Sequence, residues 1–106
     1  ILVRGVDTIP FEKFTVYNAR TLYQVLREIL VNAKKHSKAS LIVLQFEQKG
    51  KKVSVRYSDN GMGCPADQKF GVGLNGAVSR IASLGSKFIF MPKAGHGLQI
   101  RFTIPF

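Results

Sequence analysis

Three stretches of the chain gather residue types that do chemistry. The first is Glu28, Asn32 and Lys35, spaced i, i+4 and i+7. At about 100° per helical residue the three fall within about 60° of one another, so on a helix they form one polar stripe. At the wall of a cleft, the amide oxygen of Asn32 could hold a hard cation such as Mg²⁺. The Lys35 ammonium could meet a phosphate, and the Glu28 carboxylate could polarise a water or support the metal. The same stripe also reads as a solvent-facing ion pair between Glu28 and Lys35. The second stretch is Asp-Asn-Gly-Met-Gly at residues 59–63. Asn-Gly is a favoured hairpin pair, but no β-like run follows soon enough to close a hairpin. Asp59 instead ends a strand and opens a long loop. A carboxylate there can accept hydrogen bonds from a ligand's amine, and Gly61 and Gly63 would let the backbone approach a flat ring.

The third stretch is Gly-Val-Gly-Leu-Asn-Gly at residues 71–76, in which Gly71, Gly73 and Gly76 match G-x-G-x-x-G. The dinucleotide form of that motif needs a strand directly before it and an acid roughly 20 residues beyond it. No Asp or Glu follows Asp67. A P-loop is also excluded, because no Gly-Lys-Ser/Thr follows. What survives is a glycine-rich turn feeding a helix start, whose free N–H groups and dipole favour phosphate. The three stretches combine into a nucleotide pocket. The helix stripe handles metal and phosphate, Asp59 reads the base, and the glycine-rich segment forms rim and lid.

Regular elements must hold these residues in place. Thr21-Leu22-Tyr23-Gln24 fits a capping box and predicts a helix from there to about Lys38. Leu22, Val25, Leu26, Ile29, Leu30 and Ala33 keep the helical period along it. Residues 40–47 are a β-rich run, residues 48–52 read as a turn, and residues 53–58 alternate at period two, which makes a hairpin. Asn75 to Leu84 reads as a second helix closed by Gly85. Residues 87–91 and 98–104 read as strands around a turn. The first 17 residues leave room for one or two short strands. The order predicts an α+β fold, an α/β sandwich with helices layered on one face of a mixed, mainly antiparallel sheet.

The composition sets outer bounds. A chain of 106 residues, 45% hydrophobic, suits a single domain spanning 1–106. The lone Cys64 excludes an internal disulfide framework and a zinc cluster. No apolar run approaches the roughly 20 residues of a membrane span, and no signal peptide is visible. The net charge of +10 suits a polyanion or nucleotide phosphates, but no nucleic-acid reading motif accompanies it. His36 falls toward the apolar side of its helix and reads as a packed histidine. His96 reads as an exposed turn residue, and Cys64 as inert.

"LREILVNAKKHSKAS" (26–40), "DNGMG" (59–63) and "GVGLNGAVSRIASLG" (71–85), in this order, resemble the ATP-binding catalytic domain of sensor histidine kinases. That domain belongs to the Bergerat-fold superfamily shared with gyrase, Hsp90 and MutL. The short segment between the second and third motifs, and Arg80, resemble the short-lid class. The resemblance implies that Asn32 binds Mg²⁺, that Lys35 meets phosphate, and that Glu28 sits near the metal or its water. It implies that Asp59 receives the adenine amine beside Gly61 and Gly63, and that Gly71, Gly73, Leu74 and Gly76 shape the lid and phosphate site. "GHGLQI" resembles the last glycine box, with Gly95 and Gly97. The family often carries Thr or Ser where this chain has Leu98, which removes a hydroxyl near the adenine-binding Asp.

The function so implied is binding of Mg-ATP and donation of its γ-phosphoryl group to a histidine on a separate dimerisation and phosphoacceptor domain. A response regulator would follow as a further partner. The chain would then be a cytoplasmic piece of a larger, homodimeric and membrane-anchored kinase, unable to autophosphorylate alone. Two alternatives stand beside it: a degenerate nucleotide-binding or protein-interaction module, and an anti-sigma-type serine kinase of the same superfamily.

Overall fold

The chain begins with a short strand, β1 (Leu2–Arg4), and two 3-10 turns at Val6–Thr8 and Phe11–Lys13. The opening region thus holds one strand. The structure is a computed structural model and describes residues 1–36, 40–61, 74–93 and 97–106. The first helix, α1 (Val16–His36), starts six residues before the capping box predicts, at Val16 rather than Leu22. Thr15 is the residue that caps it, since its Oγ1 accepts the Asn18 N–H at 3.0 Å. Thr21 is instead buried inside the helix at 4% exposure. The Asn18 amide also donates to the Pro105 carbonyl at 2.8 Å, tying the start of α1 to the far end of the chain. A cap contributes about 1 kcal/mol. Each fully buried aliphatic side chain contributes about 1.5–3 kcal/mol, and Leu22, Val25 and Ile29 are all buried. Burial of that face, more than the cap, holds α1 in place.

β2 (Ile42–Lys49) and β3 (Lys52–Asp59) form the predicted hairpin, in register from Ile42 opposite Asp59 to Lys49 opposite Lys52. The second helix, α2 (Asn75–Ser83), is followed by Gly85 in the left-handed region at φ +77°, as expected of a helix terminator. β4 (Ile89–Lys93) and β5 (Gly97–Pro105) complete one five-stranded sheet of order β1-β2-β3-β5-β4. Only the β1–β2 pairing is parallel, so the sheet is mixed and mainly antiparallel.

Period two on the central strands separates the faces. Val53, Val55 and Tyr57 of β3 lie opposite Ile104, Phe102 and Ile100 of β5, and all six are buried. With Leu44 and Phe46 of β2 they form one core cluster that takes in Val25 and Ile29 of α1 and Ala77 and Ile81 of α2. The alternate residues face away from the helices. There Arg4, Gln45, Arg56 and Arg101 stand in one cross-strand row. All three arginines are exposed, and none is in an ion pair among the described residues.

Candidate functional site

β3 ends at Asp59, as the motif predicts, and the carboxylate there is half-buried and held from three directions. Its Oδ1 accepts the backbone N–H of Gly61 at 2.9 Å and that of Leu98 at 3.2 Å. Its Oδ2 accepts the hydroxyl of Tyr57, two residues earlier on the same face of β3. Tyr57 itself is 1% exposed. Burial pushes its phenol well above the ordinary 10.0, and the hydrogen bond to Asp59 and the charge of Asp59 push in the same direction. A neutral phenol donating to an ionised carboxylate is a charge-assisted bond, the stronger kind.

Gly97 sits directly beneath this arrangement. Its φ is +92°, and a Cβ there would lie 2.0 Å from the Asp59 carbonyl oxygen. Only a residue without a side chain lets β5 approach β3 closely enough for the Leu98 N–H to reach Asp59. Asn60 performs a separate task. Its Oδ1 accepts the N–H groups of Ser40 and Leu41 at 3.0 Å each, and its Nδ2 donates to Ser40 Oγ at 2.8 Å. The Asp-Asn-Gly sequence is therefore no hairpin turn. Its Asp stays on the strand, and its Asn fastens the chain to the start of β2.

The three stripe positions lie on α1, and the acid among them pairs across to the second helix. Glu28 pairs with Arg80 of α2, the one salt bridge among the described residues. Gly76, in the first turn of α2, packs against the same pair. A Cβ at Gly76 would lie 2.7 Å from Glu28 Oε1 and 2.8 Å from Arg80 Nη1. The other carboxylate oxygen, Oε2, is buried without a hydrogen-bond partner among the described residues. An acid against the first turn of a helix also meets the positive end of its dipole. Asn32 is half-buried one turn along α1, and its amide makes no hydrogen bond among the described residues. Lys35 and His36 lie on the last turn of α1. Leu74 is buried at 1% exposure and precedes α2.

Gly63, Cys64, Gly71, Gly73, Gly95 and His96 lie outside the described residues. Sequence reasoning missed Tyr57 and Asn60 as members of the site. For Tyr57 the available signal was its i, i+2 spacing to Asp59 with a polar tip on an otherwise apolar face. For Asn60 there was none beyond its turn-forming type. Among the described residues no group of three or more His, Cys, Asp or Glu side chains gathers to hold a metal. No described helix is long and apolar enough to cross a membrane.

The profile of the histidine kinase-, DNA gyrase B- and HSP90-like ATPases matches residues 17–106. The signal transduction histidine-protein kinase/phosphatase DegS of Brevibacillus brevis is 30% identical over 96 residues, covering 89% of this chain and 25% of that protein. UhpB of Salmonella typhimurium, named as the same kind of kinase/phosphatase, is 31% identical over 86 residues, covering 80% of this chain and 17% of its own length. The chain thus spans a quarter or less of these relatives. Among solved structures, the blue-light activated histidine kinase EL346 of Erythrobacter litoralis superposes with a TM-score of 0.76 at 21% identity, over 98% of this chain and 34% of that one. At that identity the likeness is one of fold.

Proposed function

The chain belongs to the histidine kinase-, DNA gyrase B- and HSP90-like ATPase family, as a histidine kinase ATP-binding domain, and from that premise we propose how its residues act. The domain binds Mg-ATP and donates the γ-phosphoryl group to a histidine imidazole on a separate phosphoacceptor segment of the same protein. The bond from the γ-phosphorus to the leaving oxygen of ADP breaks as the nitrogen–phosphorus bond forms. A response regulator then receives the group. The full-length protein is read as a homodimer with this domain on the cytoplasmic side.

The observation that carries the proposal is the Asp59 carboxylate. It is half-buried and held by Gly61, Leu98 and Tyr57, yet it keeps acceptor capacity for an outside donor. The six-amino group of adenine is such a donor, and the six-oxo group of guanine is not. Phosphates are assigned to the start of α2 and the segment before it, with Gly71, Gly73, Leu74 and Gly76 shaping that region and Lys35 supplying charge. The donor chemistry fits Mg²⁺. Asn32 offers a neutral oxygen, and Glu28 Oε2 is an acceptor without a partner among the described residues. Two oxygens without a full protein cage are what this ion takes when phosphates and water complete its shell. Bound there, it would neutralise charge on the phosphate oxygens. Glu28 is held by Arg80 and so serves as a fixed charge beside the metal site. Proximity and orientation supply most of this reaction's acceleration, so the domain needs its acceptor segment to react.

The test is titration of ATP and GTP against the wild type and Asp59→Ala, with folding followed by circular dichroism. Wild type should prefer ATP. Asp59→Ala should weaken ATP by about 10- to 150-fold, the worth of a hydrogen bond to a charged group, and narrow the gap. Equal wild-type affinity for the two nucleotides overturns the assignment. With labelled ATP the chain alone should stay unlabelled, and an added phosphoacceptor segment should gain acid-labile, base-stable label.

A further inference from the structure

We propose that Tyr57 is a positioning residue for Asp59, and that the two side chains together form an acceptor-only reader selective for an exocyclic amine; this rests on the adenine assignment above. Hydrogen-bond capacity at Asp59 sets what the site can accept. An ionised carboxylate has about four acceptor positions and no donor. In Asp59 two are filled on Oδ1, by the N–H groups of Gly61 and Leu98, and one on Oδ2, by the Tyr57 hydroxyl. One position remains, and it is on Oδ2.

The carboxylate cannot turn to offer its other oxygen without giving up two backbone hydrogen bonds. Those bonds come from different strands of chain, Gly61 following β3 and Leu98 on β5, so both sides of the site hold the same orientation. The single proton of Tyr57 is committed to Asp59, and its ring is locked in the core opposite Leu44 and Ile100. An incoming ligand therefore finds the free position of Oδ2 and no proton there to give, because the Tyr57 proton is already committed to the carboxylate. A six-amino purine can fill that position. A six-oxo purine presents an acceptor to an acceptor, and a purine with hydrogen at the six position presents nothing. Without its hydroxyl, residue 57 would leave Oδ2 with two open positions and no lateral restraint.

Tyr57→Phe removes the hydroxyl and keeps the ring. Binding of ATP, GTP and purine riboside triphosphate, which lacks the six-amino group, is measured on wild type and variant. We expect Tyr57→Phe to weaken ATP by about 3- to 10-fold and to leave purine riboside triphosphate unchanged, so the ratio between them narrows. In the Asp59→Asn background the same substitution should have little further effect. A general structural defect would weaken both ligands alike, and that outcome overturns the proposal, as does an unchanged ATP affinity. A wild type that does not distinguish ATP from purine riboside triphosphate would remove the adenine assignment itself, and this proposal with it. A second readout needs no variant. The Tyr57 hydroxyl proton, shielded from exchange, should shift in the proton NMR spectrum on addition of ATP and not of purine riboside triphosphate. No shift with ATP contradicts the proposal.

Discussion

Arg80 of α2 is paired with Glu28 of α1, and Gly76 of the same α2 leaves the space the pair occupies. The two helices are thus joined at a residue proposed to stand beside the metal site. The pair is partly exposed, with side-chain exposures of 37% for Arg80 and 28% for Glu28, so it is neither a free surface contact nor a sealed one.

Arg80→Ala should therefore destabilise the domain by about 1 kcal/mol, the upper end for exposed pairs, because Glu28 is left half-buried without its partner. Glu28→Gln combined with Arg80→Ala should cost less than the sum of the two single changes. Urea denaturation of the two single variants and the double gives the coupling. Strict additivity would show that the pair contributes nothing. Gly76→Ala should disrupt the pairing without unfolding the domain, since the atoms in its way are movable side-chain ends.

Gly97→Ala should be far more damaging. The residue has φ +92°, and its new Cβ would meet the backbone oxygen of Asp59 at 2.0 Å, which no rotamer change relieves. A loss of more than about 2 kcal/mol is expected from strain and overpacking together, along with loss of nucleotide binding. Thermal denaturation and ATP titration of the same sample check it. A melting temperature equal to wild type would contradict the close approach of β5 to β3.

Asn32→Ala should leave α1 intact, since Ala is the best helix former, but should remove most of the magnesium dependence of ATP binding. The measurement is ATP affinity with and without Mg²⁺ on folded variant. A magnesium effect equal to that of wild type would exclude Asn32 as a ligand.

The Tyr57 phenol is raised above its ordinary 10.0, first by burial and then by Asp59. The folded state therefore holds this proton more tightly than the unfolded chain does. Its contribution is fully present below pH 10 and is lost as pH rises from there towards the folded value. Above pH 10 the folding constant should fall about tenfold per pH unit on this account. Tyr57→Phe should lack that part of the alkaline loss. Parallel stability-versus-pH curves for the two proteins would refute the assignment.

Much of the fold is legible in the sequence because burial imposes its period directly. The alternation of Val53, Val55 and Tyr57, and of Leu98, Ile100, Phe102 and Ile104, is the register of the sheet. The start of α1 is not legible in this way. Val16 and Tyr17 are exposed at 78% and 61%, so the first turn buries too little to show a period, and the cap at Thr15 precedes any apolar pattern. The partner of Glu28 is also hidden. A local reading can offer only Lys35 on the same helix, whereas Arg80 is 52 residues away and meets Glu28 only when α2 packs on α1. The place of Asp59 at the end of β3 is legible through its motif. The role of Tyr57 is not, because alternation alone assigns it to the core and says nothing of where a buried hydroxyl points.

The row of Arg4, Arg56 and Arg101 bears on how this molecule behaves among copies of itself. Arg56 and Arg101 lie directly opposite on neighbouring strands, an arrangement that weakens a sheet slightly. The same row makes the open face self-avoiding. Laying one such face on another would bring two lines of unpaired guanidinium groups together, and the repulsion rises with every strand that joins. Sheet-to-sheet stacking, the common route by which an uncovered β-surface clumps, is opposed by that charge at ordinary ionic strength. Concentrated salt, which shortens the reach of charge to a few ångströms, would weaken that opposition. A small internal repulsion thus works against self-association through this face.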